Sequence, residues 1–125
     1  MKRDMDLVRE ILTSIEDSQV AIPGWDPQTL VVGALKPEAE VGYHVGLLQD
    51  AGYVTAIETT SMGRNHRTFL GVKMTWEGHE FLDAVRSDTV WAAVKQKAAE
   101  QGGSLPLEIV KMLANALLKK HLGLG

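Results

Sequence analysis

The sequence contains no cysteine. Disulfides and thiolate metal sites, zinc fingers included, are therefore excluded, and a reducing compartment is compatible with the chain. No stretch approaches the 18 or so consecutive apolar residues that a membrane-spanning helix needs. In the opening MKRDMDLVREIL, the charges of Asp4, Asp6, Arg9 and Glu10 break up any apolar core of a signal peptide, so none is expected. Internal repeats, low-complexity tracts and long linkers are missing. So are a Gly-rich phosphate loop and a nucleophile elbow: Gly102-Gly103 has neither a strand before it nor a Lys-Ser/Thr after it.

What is present is ordinary for a globular domain. The 125 residues are 45% hydrophobic and 23% charged, enough to bury a core without staples, and they are expected to form a single domain, 1–125. The net charge of −3 is unevenly spread: residues 1–60 carry four bases and ten acids, and residues 61–125 carry nine bases and six acids. A negative first half and a positive second half permit nucleic-acid contact without requiring it.

Met5, Val8, Ile11 and Ile15 recur at helical steps and predict an amphipathic helix over about residues 4–17. Pro23, Gly24 and Pro27 make 18–29 a loop anchored by Trp25, and Leu30–Leu35 reads as a short β-branched strand. Pro37 suits the first turn of a second helix, 37–51, whose stripe is Val41, His44, Leu48 and Ala51 and whose stop is Gly52. Two β-branched runs from Tyr53 and from Thr68 flank a polar loop holding Gly63, the pattern of a β-hairpin. Thr75 can cap a third helix with Phe81, Leu82 and Val85 inward, and Ser87 or Asp88 a fourth with Val90, Trp91, Val94 and Ala98. Ser104 and Pro106 open the last, with a Val110, Leu113 and Leu117 stripe and Lys119 and Lys120 in its final turn.

The predicted fold class is mainly α with a small β-hairpin, an α+β arrangement. Helix, short strand, helix and hairpin over 1–75 resemble a winged-helix core, followed over 76–125 by C-terminal helices. A standard helix-turn-helix sets a helix immediately before the recognition helix. Here a Pro-flanked loop and a strand hold that place. The blocks MKRDMDLVREIL, EVGYHVGLLQDAGYV, MTWEGHEFLDAVRSDTVW and SLPLEIVKMLANALLKKHLGL, in that order, resemble domain of unknown function family 2513 of bacteria and phages across almost the whole chain. The resemblance implies a cytoplasmic protein of a bacterial or phage-infected cell and brings no activity with it.

Candidate chemistry is sparse. His79-Glu80 begins like a metalloprotease helix, but position 83, where the second His belongs, is Asp. His44, between Val41 and Leu48, reads as a core histidine. Glu77 and Glu80 share a helix face but read as a solvated pair. The expectation is no enzyme, no cofactor and no metal. Arg64, His66, Arg67 and Lys73 lie in or beside the hairpin with no acid between Ser61 and Trp76, so Arg64, His66 and Arg67, with Lys36 and Tyr43 by the second helix, are the candidate DNA contacts. Against them, residues 37–44 hold two glutamates and neither lysine nor arginine. Two functions follow: a DNA-binding regulator, or a protein-interaction or structural module that does not bind DNA. The admissible partners are double-stranded DNA and a second copy of the chain, with Leu113, Leu117 and Leu118 as the candidate oligomer interface.

Overall fold

The computed structural model describes residues 2–17, 38–59 and 67–124. The loop and strand expected over 18–35, Lys36, and the hairpin tip with Arg64 and His66 lie outside the described residues. Seven elements are described: α1 (Met5–Asp17), α2 (Glu38–Asp50), β1 (Val54–Glu58), β2 (Phe69–Met74), α3 (Trp76–Val85), α4 (Asp88–Glu100) and α5 (Leu107–His121). The chain is mainly helical with one antiparallel hairpin, as its sequence predicts. It divides into two compact units, Met1–His79 and Glu80–Gly125.

In the first unit α1 starts because Asp4 Oδ1 accepts the N–H groups of Asp6 (3.0 Å) and Leu7 (3.2 Å), two donors that the first helical turn leaves without partners. Its apolar face, Leu7, Val8, Ile11, Leu12 and Ile15, is buried. At roughly 1.5–3 kcal/mol for each large aliphatic side chain taken from water, that face is what holds the helix in place. It packs on α2 and on β2, while α2 also packs on β1.

Between α1 and α2 lies His44, fully buried. Its Nε2 accepts the backbone N–H of Asp4 at 2.7 Å, which assigns the ring proton to Nδ1, and Nδ1 donates to the Glu40 carbonyl at 2.7 Å. The core reading of this residue holds, and the imidazole is the polar link between the start of one helix and the middle of the other.

Helix α2 ends on Gly52, whose φ of +82° suits a residue without a Cβ. The Gly52 N–H returns to the Gln49 carbonyl and the Tyr53 N–H to that of Leu48, the paired bonds of a Schellman cap. Next to it, Gln49 Nε2 donates to the Ala56 carbonyl at 2.9 Å and ties the helix end to β1.

The hairpin is irregular. Val54 pairs with Met74 and Thr55 with Lys73, but Ile57 pairs with Leu70, so Ala56 stands opposite two residues, Gly71 and Val72. Gly71 has φ +62°, which makes this a bulge with glycine in its left-handed position. Residues three apart on a regular strand face opposite sides. The extra residue cancels that difference, and Phe69 and Val72 are both buried. One face of the ribbon thus carries Val54, Phe69 and Val72 toward the helices, and the other carries Thr55, Ile57 and Lys73 outward.

In the second unit Phe81, Leu82, Ala84 and Val85 of α3 are buried. Ser87 Oγ accepts the Val90 N–H at 3.3 Å and starts α4, which resolves the choice between Ser87 and Asp88 as the cap. Val90, Trp91, Val94 and Ala98 are buried, and α4 packs on α5. Pro106 precedes the first turn of α5, where Leu107, Val110 and Ala114 are buried.

Replacing His44 with leucine keeps the volume and removes the acceptor for the Asp4 N–H. The expected cost is about 2 kcal/mol, that of a donor left without its partner. Urea unfolding at equilibrium measures it, and a loss below about 0.5 kcal/mol would show that the link does not hold α1 to α2.

Candidate binding surfaces

Arg67 is the one candidate DNA contact of the hairpin loop among the described residues. It stands two residues before Phe69, so it shares the face of the ribbon that looks toward the helices. Glu58, opposite Phe69 in the register, is its diagonal neighbour. The guanidinium binds Glu58 with two hydrogen bonds, Nη2 to Oε1 at 2.9 Å and Nε to Oε2 at 3.2 Å. It also lies 5.2 Å from the centre of the Phe69 ring, a cation–π distance.

A further contact explains a glycine. A Cβ on Gly46 of α2 would collide with Nη1 of Arg67, so the absence of a side chain there makes room for the guanidinium. The hydrogen bond to Glu58 raises the Arg67 pKa above its ordinary value; burial opposes this, and the charges of Glu58 and Asp50 add to it. Since arginine is charged at any accessible pH, these groups fix its position and not its charge. Both partners of the pair keep 40% of their side-chain surface exposed, so the bridge contributes under about 1 kcal/mol.

The ribbon's outer face is of different character. Ile57 is 70% exposed there, with Thr55 and Lys73 on the adjacent rung and Thr59 bonded to Thr68 through their hydroxyls at 2.9 Å. Lys73 supplies its cation. On α2, Tyr43 is half-buried and sets its ring edge-on to His44, 5.3 Å between centres. That helix carries Glu38, Glu40 and Asp50 and neither lysine nor arginine.

Thr75 anchors the next segment. Its N–H donates to the Tyr53 carbonyl (3.0 Å), its hydroxyl donates to the Gly52 carbonyl (2.6 Å), and the same oxygen accepts the Gly78 N–H (3.1 Å), the cap expected of it. Immediately after it, Trp76 is 75% exposed. Glu77, His79 and Glu80 are also exposed, and Asp83 takes a hydrogen bond from Arg86 at 2.8 Å.

In the second unit the candidate interface residues Leu113, Leu117 and Leu118 are half-buried, at the margins of the packed stripe. The fully outward apolar residues are others: Ile109 and Met112 on α5, and Leu122 and Leu124 after it. The sequence pattern did not single out Ile109 and Met112, because the stripe through Val110, Leu113 and Leu117 accounts for a helix packed on one side. Ile109, Met112 and Ala116 repeat at the same steps one position earlier.

Comparison with known proteins places the chain. Residues 2–104 match the family described as hypothetical protein (DUF2513). The chain belongs to this family. A relative from Haemophilus influenzae, described as an uncharacterized protein, is 33% identical over 130 residues, which cover 98% of this chain and 99% of the relative. No solved structure matches the chain. Among the described residues of this DUF2513 protein no helix is long and apolar enough to cross a membrane.

If Gly46 makes room for Arg67, Gly46→Ala and Arg67→Ala will not be additive. A double-mutant cycle read by urea unfolding is expected to give a coupling of about 0.5–1 kcal/mol. Strict additivity would show that the close approach has no energetic weight.

Proposed function

We propose that this DUF2513 protein works by holding another protein, and not by catalysis. The observation that carries the reading is Trp76, three-quarters exposed directly after a threonine whose backbone and hydroxyl are both bonded. Tryptophan offers a large apolar surface with two side-chain torsions, and it is enriched among the residues that dominate binding energy. A rigid attachment lowers the ordering cost of using it. Against catalysis stand the committed imidazole of His44 and the exposed positions of His79, Glu77 and Glu80 on the helix surface.

DNA binding is the second reading, and one observation favours it: Ser61–Thr75 contains Arg64, His66, Arg67 and Lys73 and no acid. The wing would then touch phosphates while α2, rich in carboxylates, stays away from them.

Both readings are tested together. Affinity capture from a bacterial extract is expected to recover a partner protein with the wild-type chain and to lose at least about tenfold of it with Trp76→Ala, a change of 1.4 kcal/mol. Equal recovery with the variant would overturn the Trp76 anchor. Fluorescence anisotropy with a labelled random duplex is the second arm. Micromolar binding that falls with salt and with Arg64→Ala/Arg67→Ala would transfer the conclusion to DNA.

A further inference from the structure

Helix α5 has two apolar stripes. The first, Leu107, Val110 and Ala114, is buried. The second runs along the opposite side through Ile109, Met112 and Ala116; Ile109 is 40% and Met112 65% exposed, and Ala116 is exposed too. Leu113 lies between the two. A helix at the surface of a domain needs only the first stripe.

The charges beside the second stripe select what covers it. Glu108 and Lys119, both exposed, are eleven residues apart. Eleven residues make close to three turns, so both stand on the same flank of the stripe, one near each end. A parallel second helix would put the two copies of this flank on opposite sides of the contact and at equal heights, so no Glu108 would meet a Lys119. An antiparallel copy, related by a two-fold axis midway between them, brings Glu108 of each chain to Lys119 of the other. That midpoint falls between Leu113 and Ala114, and it sets Met112 level with Asn115 of the other copy, one residue from Ala116. The same alignment carries Leu122 and Leu124, 70% and 72% exposed, to the start of the partner's α5 near Leu105. Leu124 is held at the helix end by its N–H bond to the Lys119 carbonyl at 2.8 Å.

We infer that the outer face of α5 is a self-association surface on which a second copy of this chain packs antiparallel, with Glu108 against Lys119 twice. The contact is isologous, so it closes as a dimer and does not propagate. One helix pair with two flanking leucines falls short of the roughly 1,600 Å² of a standard interface, so the dimer is a micromolar one. This surface is separate from Trp76 and does not rest on the proposed partner binding.

Sedimentation velocity of the full chain from about 5 to 500 µM tests it. The wild type is expected to pass from monomer to dimer within that range. Met112→Glu is expected to weaken the dimer at least about tenfold while urea unfolding stays unchanged, because Met112 is outside the core. Glu108→Lys and Lys119→Glu should each weaken it several-fold, and the two together should restore it to within about twofold, since the exchanged charges meet again. A wild type that stays monomeric throughout, a dimer indifferent to Met112→Glu, or a double exchange that fails to restore it would each overturn the proposal. Trp76→Ala should leave the dimer intact. A dimer lost with that variant and kept with Met112→Glu would put self-association elsewhere and overturn the inference without touching the capture result.

Discussion

The first unit depends on the imidazole of His44. Apolar faces on α1, α2 and the hairpin press these elements together, but apolar burial is non-directional and does not choose a register. The two ring nitrogens do. One accepts from the backbone at the head of α1 and the other donates to the carbonyl one turn back on α2, so the helices are indexed to each other at one point. The same Asp4 that gives its N–H to the ring lends its side chain to start the helix. Helix initiation and helix docking are thus one event, centred on two residues forty apart in the chain.

A second consequence of close packing concerns charge. The hairpin sequence from Ser61 to Thr75 carries Arg64, His66, Arg67 and Lys73 and no acid, and a linear count suggests a basic wing. The fold redistributes that count. Arg67 turns toward α2, closes on Glu58, and rests against Phe69 and Gly46. Among the described residues, what the outer face shows is Ile57, Thr55, Thr59 and Lys73.

Much of the architecture was legible because its causes are local. Periodicity marked α1, α2 and α4, while Gly52, Thr75 and Ser87 marked ends through capping that needs only neighbours in sequence. The burial of His44 was legible from its place between Val41 and Leu48, but its partners were not, since Asp4 is far away in the chain. The setting of Arg67 was not legible for the same reason: a charge run has no face until strand parity is known. Trp76 gave no signal either, because a tryptophan at a helix start reads equally well as an anchor packed down or as one left standing. Ile109 and Met112 were hidden by a neighbouring stripe that satisfied the pattern first.

Strand parity here hangs on Gly71. It counts as a residue in the chain but not in the alternation of faces: without it Val72 would follow Leu70 directly, and Phe69 and Val72 would still share the inner side. For family comparison this inverts the usual expectation for a conformationally special glycine. A relative with one residue fewer in this strand presents the same two faces as this chain, whereas a relative of equal length with a branched side chain at this point has either a strained bulge or a ribbon turned inside out. Gap placement, more than residue identity, is what reports whether two members of the family turn the same face of the ribbon outward.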